Sequence, residues 1–475
     1  MTTPFQGLRV LFCVCFALAA LSILSLNGYA LALAAAAVIW LLLRRRAIPH
    51  FTLVLLAGGV LLRVLVALTL HPPIESDFRL MYEAAQSLLA GDLSFLDTAY
   101  FSLWAYQSVF VAWEAMWLRL WNDPLCLELV NAVLSAGILC LLYRMARGWV
   151  GERAAQAASL LLTLFPFALT LHTVLTNQIP SAFFLVLGVW LVACGDCRRL
   201  GLWRFPLAGL ALQLGNLLRS EGIILLVAVL AWAVFEAVRH PAAVKRIAAG
   251  MLALLVVYFM ANAAADAAVR AAGLNPYGVG NGDPGWKFVT GLNFNTSGGY
   301  SQEDWNKIYP TLDENYQATE QTEAVQNALI AERLSALSAD PAKLVRHMSH
   351  KLRMMWNNDA LNWALGHTQQ QPEQLILGLI TRGNAYTLVC QFDRGLFYLS
   401  LLLAGFGLIA PRERWKQRPA AAYLPYFIFF AAFCAMLLIE VQPRYAYLPQ
   451  LFLFTAAAFG LDCLRDHKRE ETGNA

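Results

Sequence analysis

Apolar residues come in windows of about 16 to 22, parted by short charged or glycine-containing breaks, and each window is close to the length a helix needs to cross hydrocarbon. Twelve windows are read: 10–26, 28–43, 51–70, 124–143, 153–171, 179–195, 204–218, 222–238, 247–265, 388–410, 420–440 and 444–463. The weak alternation of a membrane barrel is missing. The pattern predicts an all-α polytopic membrane protein with about 12 transmembrane helices, interfacial helices and a small extracytoplasmic loop domain. Spans 204–218 and 222–238 are short and read as tilted or broken helices.

Two long stretches interrupt the windows. The first, 71–123, holds an amphipathic segment 78–90, a turn at Gly91-Asp92 and an aromatic run 100–121 that is expected to lie at headgroup level. The second, 266–387, opens on two glycine-rich stretches, 277–286 and 291–300, read as a surface loop or a lid carrying Trp286 and Tyr300. It continues as a helix over 322–337 and then a basic amphipathic helix capped by Asp340 with Pro341 at its first position. The organisation is therefore an N-terminal hairpin (1–50), a core (51–265), the second stretch (266–387) and a C-terminal helical part (388–475).

Lysines and arginines set the orientation. Arg44 to Arg46, Arg144 with Arg147 and Arg153, Arg198 with Arg199 and Arg204, Arg239 with Lys245 and Arg246, Arg412 with Arg414, Lys416 and Arg418, and Arg465 with Lys468 and Arg469 all fall on one side if both termini are cytoplasmic. That places both long stretches outside the cytoplasm. Although Arg9 precedes an apolar run as in a signal peptide, the closely following second span argues for a retained hairpin.

Composition agrees: 59% of residues are hydrophobic and 14% charged, far from a soluble domain. The net charge of +4 is small, and no basic patch interleaved with aromatics points to nucleic acid. The nine cysteines lie mostly inside apolar windows; Cys194 and Cys197 have CxxC spacing but no second pair, and no histidine pair has metal-ligand spacing. No metal site is read.

Charge at the mouths of the windows is the remaining chemistry. Asp77 follows the third window, with Glu75 two residues before it and Glu114 on the aromatic run. Arg63 sits inside a window, where a lone charge is expensive. Arg219-Ser220-Glu221 and the Glu440 to Arg444 turn join consecutive spans at the same face, either as structural ion pairs or as parts of an anionic site.

The order of these features resembles a family. Asp77, Tyr82, Ala85, Leu89 and Gly91 in the first loop, Leu129 to Ala132 at a span start, Leu218 to Gly222, and Pro443 to Pro449 resemble the GT-C superfamily of polytopic glycosyltransferases, in the branch of protein O-mannosyltransferases and the lipid A aminoarabinose transferase. The resemblance covers about residues 51 to 463; the hairpin before residue 44 is additional. It implies a sugar moved from a polyprenyl-phosphate-linked donor to an extracytoplasmic acceptor (glycan, lipid or protein), with Asp77 as general base and Glu75 or Glu114 as acidic partners. Such chemistry asks for a carboxylate to take the acceptor proton and cations to steady the departing phosphate; Arg219, Arg444, Lys351 and Arg353 are the cations available, and Tyr82, Trp286 and Tyr300 the substrate contacts. The family's second loop acid is replaced by Phe78, and an acid near a middle span by Asn177-Gln178, so a paired-carboxylate site for a divalent metal has little support and no cofactor is required. The expected setting is a bacterial plasma membrane. Two rivals are a lipid or glycan transporter or flippase, which predicts internal repeats and midplane charges that are not found, and a polysaccharide polymerase or ligase.

Overall fold

The computed structural model describes residues 3–23, 29–70, 72–194, 201–356, 360–366, 383–410, 415 and 417–473. Cys197, Arg198, Arg199, Arg412, Arg414, Lys416 and residues 367–382 lie outside them. Among the described residues the chain is helical and has no strand.

Helices stand at all twelve expected windows: α1 (Thr3–Ile23), α2 (Tyr29–Arg45), α3 (Phe51–Ala67), α7 (Pro124–Arg147), α8 (Glu152–Thr163) with α9 (Pro166–Thr170), α10 (Gln178–Ala193), α11 (Arg204–Leu218), α12 (Gly222–Arg239), α13 (Val244–Ala271), α19 (Gly383–Ile409), α20 (Leu424–Leu438) and α21 (Tyr447–Gly473). Six helices among the described residues are long and apolar enough to cross a membrane, and α8 with α9 makes a seventh if counted as one span bent by 63°. The chain is a multi-pass membrane protein. Its apolar residues face outward as well as inward, as the lipid-facing side of such a bundle requires: Leu53, Leu61, Val234 and Met260 are each more than 60% exposed.

Local signals explain where the elements start and break. Asp123 caps α7 by accepting the Leu125 N–H at 2.8 Å, with Pro124 in the first turn. Pro166 lacks the N–H that α8 would need to continue, and at the break the Asp393 carboxylate accepts the freed Phe167 N–H at 2.8 Å. The N-terminal hairpin packs on the C-terminal helices: Phe16 stacks on Phe429 at 4.6 Å, and Phe12 lies 5.8 Å from Tyr426. Arg63 is buried inside the bundle, bonding Ser135 Oγ at 2.8 Å and the Gly59 carbonyl at 3.3 Å. It is thus held by two polar groups of the bundle instead of joining a set of surface charges.

The two long stretches form a cap over one end of the bundle. The first contributes α4 (Ser76–Leu89), α5 (Ala99–Leu103) and α6 (Gln107–Leu118). The second contributes α14 (Trp286–Gly291), α15 (Gln302–Ile308), α16 (Glu320–Ala339), α17 (Pro341–Trp356) and α18 (Ala360–Gly366). A reciprocal Thr319–Thr322 capping box starts α16, and Asp340 receives the Lys343 N–H at the start of α17. The stretches are stitched together: the Gly282 N–H donates to the Leu103 carbonyl at 2.6 Å and the Tyr106 N–H to the Gly280 carbonyl at 3.2 Å. The glycine-rich run is therefore a bonded wall instead of a loose loop. At Gly278, with φ +65°, a Cβ would stand 1.8 Å from an Asp266 carboxylate oxygen, so only glycine fits.

Lys351 fastens the cap to the bundle. Its ammonium donates to the carbonyls of Gly291 (2.7 Å), Leu437 and Ile439 (both 2.9 Å). Burial draws its pKa down to about 7, while three acceptors call for the three N–H donors that only the charged form has; the geometry is that of the ammonium. Gly291 allows the approach, since a Cβ there would meet the Ile439 backbone at 2.4 Å. Lys351→Met is expected to lower stability by on the order of 3 kcal/mol, because three carbonyls lose their donor. Arg353→Ala, on the exposed side of the same helix, is expected to stay within about 0.5 kcal/mol. Thermal unfolding of the two purified variants checks the pair, and an unshifted Lys351→Met midpoint would make the latch inert.

Candidate active site

At the junction of cap and bundle lies a cavity of about 270 Å³ lined by Asp77, Phe78, Tyr100, Tyr106, Asn177, Arg219, Glu221, Trp286, Lys287, Tyr300, Glu440, Gln442, Arg444 and Tyr445. These residues come from five separate parts of the chain, and each arrives at an element end. Asp77 is in the first turn of α4, directly after Ser76, whose φ of +56° is rare for a residue with a side chain. Arg219 and Glu221 sit in the tight turn between α11 and α12, Lys287 in the first turn of α14, and Glu440 to Tyr445 between α20 and α21.

Three cations line the cavity, and they are not equivalent. Arg219 is paired with Glu221 and also donates to Asn177 Oδ1 at 3.0 Å. Lys287 is paired with Glu440. Burial alone would pull the Lys287 ammonium down, but Tyr445 and Glu440 more than offset it and hold the group above its ordinary range. Arg444 has no carboxylate partner among the described residues. Its Nε donates to Gln442 Oε1 at 2.8 Å, Gln442 in turn donates to Glu440 at 2.9 Å, and Gln178 holds the Arg444 carbonyl at 2.8 Å. Its guanidinium carbon lies 5.0 Å from the ring centres of both Phe78 and Trp363 and 5.7 Å from that of Tyr445. Aromatic faces stabilise a cation without neutralising it, which leaves Arg444 the cation best placed to meet an anion.

Tyr100 stands near these charges. Burial, and then the Asp77 carboxylate, push its hydroxyl well above the usual phenol range, so it is present as a neutral O–H. The cavity thus combines a half-buried carboxylate, a phenol and a charged guanidinium facing one space.

The sequence-derived candidates divide sharply. Asp77, Arg219, Arg444, Trp286 and Tyr300 are brought together. Lys351 is consumed by its three carbonyls and drops out as a phosphate partner. Arg353 is exposed and does not line the cavity. Glu114 is 1% exposed in α6 and faces a separate void of about 10 Å³, where burial drives its carboxyl well above the usual range; it is not a partner of Asp77. Glu75 ends the run before α4 without lining the cavity, and the Tyr82 hydroxyl accepts from Gln86 at 2.9 Å, also away from it. Lys287, Tyr100, Tyr106, Gln442 and Tyr445 were missed. The aromatic run 100–121 pointed to the region of Tyr100 and Tyr106, and the Glu440-to-Arg444 turn to Gln442 and the neighbouring Tyr445; nothing in the local pattern around Lys287 marks it. Among the described residues no group of three His, Cys, Asp or Glu side chains is placed to hold a metal.

Residues 120–264 match the family model of dolichyl-phosphate-mannose-protein mannosyltransferase. The matched segment runs from before α7 to within α13 and contributes Asn177, Arg219 and Glu221 to the cavity. No curated protein sequence matches the chain. Among solved structures, ArnT from Cupriavidus metallidurans bound to undecaprenyl phosphate is 15% identical over 88% of this chain and 78% of that one, with a TM-score of 0.39. The oligosaccharyltransferase AglB from Archaeoglobus fulgidus, in complex with an inhibitory peptide and a dolichol-phosphate, is 13% identical over 90% of this chain, with a TM-score of 0.49. The chain spans 52% of AglB.

Proposed function

We propose that the protein is a membrane glycosyltransferase that moves a sugar from a polyprenyl-phosphate-linked donor to an acceptor outside the cytoplasm, with Asp77 as general base. The observation that carries this reading is the presence, in one cavity, of the Asp77 carboxylate and of an Arg444 that has no ion-pair partner among the described residues. The family match over residues 120–264, to an enzyme class named for a dolichyl-phosphate sugar, supports it independently.

The chemistry is a single displacement. Asp77 takes the proton of the acceptor hydroxyl as its oxygen attacks the anomeric carbon, and the bond to the donor phosphate breaks with inversion. Charge grows on the departing phosphate, and a guanidinium offers it two parallel N–H donors. Arg219 and Lys287, already paired with Glu221 and Glu440, hold the site's shape. The direct test is transfer from a radiolabelled polyprenyl-phosphate sugar by purified protein, read as release of polyprenyl phosphate. A transporter moves the lipid without breaking that bond, so absence of release sinks the proposal.

The same reading requires twelve spans, cytoplasmic termini and an extracytoplasmic cavity. In a cysteine-free background, a cysteine at exposed Asn315 on the cap is expected to react with a membrane-impermeant thiol reagent in intact cells. One at exposed Ala242, between α12 and α13, is expected to stay unlabelled until the membrane is opened. The opposite result would turn the cavity toward the cytoplasm and remove the lipid-linked donor.

A further inference from the structure

A second cleft, of about 530 Å³, opens in the cap between the first stretch and the segment before α16. It is lined by Ser94, Asp97, Tyr277, Glu314, Asn315 and Tyr316 among others, and none of its lining residues is a lysine or arginine. Its walls are fixed to each other: Gln317 Nε2 donates to the Ser102 carbonyl at 2.6 Å, and Asn275 Nδ2 to that of Phe101 at 2.9 Å. A line of aromatic rings leads from it to the cavity described above. Tyr316 is near-parallel to Tyr309 at 6.0 Å, Tyr309 lies 5.2 Å from Trp305, and Trp305 meets Trp286, a cavity residue, at 5.5 Å. Trp286 and Trp305 also belong to the small core of the cap. Trp286 is 3% exposed, so the open ring surface between the two sites is that of Tyr309 and Tyr300, which are 38% and 52% exposed.

We infer that this cleft and its aromatic path bind a neutral saccharide, and that the acceptor of the proposed transfer is a glycan laid from the cap down to Asp77. The inference rests on the transferase reading of the cavity. Charge separates the two sites. In the cavity at the bundle Arg219 and Lys287 are matched by Glu221 and Glu440 and Arg444 stands available to an anionic donor, whereas the cleft is lined by the carboxylates of Asp97 and Glu314 with no lysine or arginine, a setting that repels anions such as phosphate headgroups. What remains in the cleft suits sugar hydroxyls: the Asp97 and Glu314 oxygens accept from them, the Asn315 amide does both, and tyrosine rings pack their C–H faces while offering a polar tip. The lining is predominantly polar, with tyrosine rings set among hydrogen-bonding groups, which favours a hydroxyl-rich ligand over an apolar one.

The test uses the full chain in lipid nanodiscs, applied to an immobilised panel of neutral microbial polysaccharide fragments and, separately, to a peptide panel and to polyprenyl phosphate. Binding to saccharide is expected, weakened about tenfold or more in Tyr309→Ala and in Tyr277→Ala, the loss of one aromatic anchor, and retained in Tyr309→Phe, which keeps the ring. Both alanine variants are expected to bind polyprenyl phosphate as the unaltered protein does, which also shows them folded. Binding to no saccharide, saccharide binding unchanged in both alanine variants, or peptide binding that the same variants abolish would each overturn the inference. Saccharide binding without polyprenyl phosphate binding would instead sink the donor reading and leave the cleft standing.

Discussion

Asp77→Asn is expected to reduce sugar transfer by about 10²- to 10⁴-fold while leaving expression and donor binding close to normal. Asparagine matches aspartate in size and keeps one acceptor oxygen, so the packing of the first turn of α4 against the bundle through buried Phe78 is undisturbed. What it cannot do is take a proton, and a positioned general base is worth about that factor. The structure strengthens the assignment by elimination. Glu114 faces a separate void, Glu75 is outside the lining, and Glu221 and Glu440 are paired with Arg219 and Lys287. Rates are to be measured with saturating donor, so that a weakened donor complex is not mistaken for lost chemistry. Transfer above roughly a tenth of the unaltered rate would move the base to Glu221 or Glu440.

The helical class and the positions of the apolar helices were legible because hydrophobic windows report what lipid demands of a backbone. The break in the fifth window is not read from the sequence, although Pro166 stands inside it; the tilted or broken reading falls instead on 204–218 and 222–238, which form the continuous helices α11 and α12. The site was half legible. Arg219 and Arg444 stood out because a charge in a short turn between two spans has few places to go, and Asp77 because it follows closely on the third apolar window. Lys287 was invisible: it lies in a glycine-rich stretch, and only the approach of α14 to the end of α20, permitted by Gly291, brings it to Glu440. The amphipathic pattern of α17 was correctly read as a helix, but periodicity cannot say what a buried lysine bonds. Lys351 looked like one more cation near a membrane and is a latch for three carbonyls. Phe78, which stands where the family pattern has an acid, instead supplies one of the rings around Arg444.

That ring cage sets up the other large effect. Arg444→Ala is expected to weaken polyprenyl phosphate binding by about 30-fold or more, the scale of removing one member of a desolvated charge pair. Arg444→Lys is expected to lose about tenfold even though the charge stays. A lysine is a point charge without the planar fork, so it gives up both the bidentate contact to phosphate and the stacking between Phe78 and Trp363. A purely structural arginine predicts otherwise: it would lower the unfolding midpoint in both variants and leave affinity per folded molecule unchanged. Arg219 provides the contrast. Its guanidinium is held by Glu221 and Asn177, so Arg219→Lys is expected to act mainly on stability and only weakly on binding. Donor affinity and thermal midpoint, measured on the same purified preparations, separate the two roles. If Arg444→Lys binds polyprenyl phosphate as well as the unaltered protein and Arg219→Lys does not, the phosphate belongs at the turn between α11 and α12, and the unneutralised guanidinium beside Phe78 is a packing feature of α4.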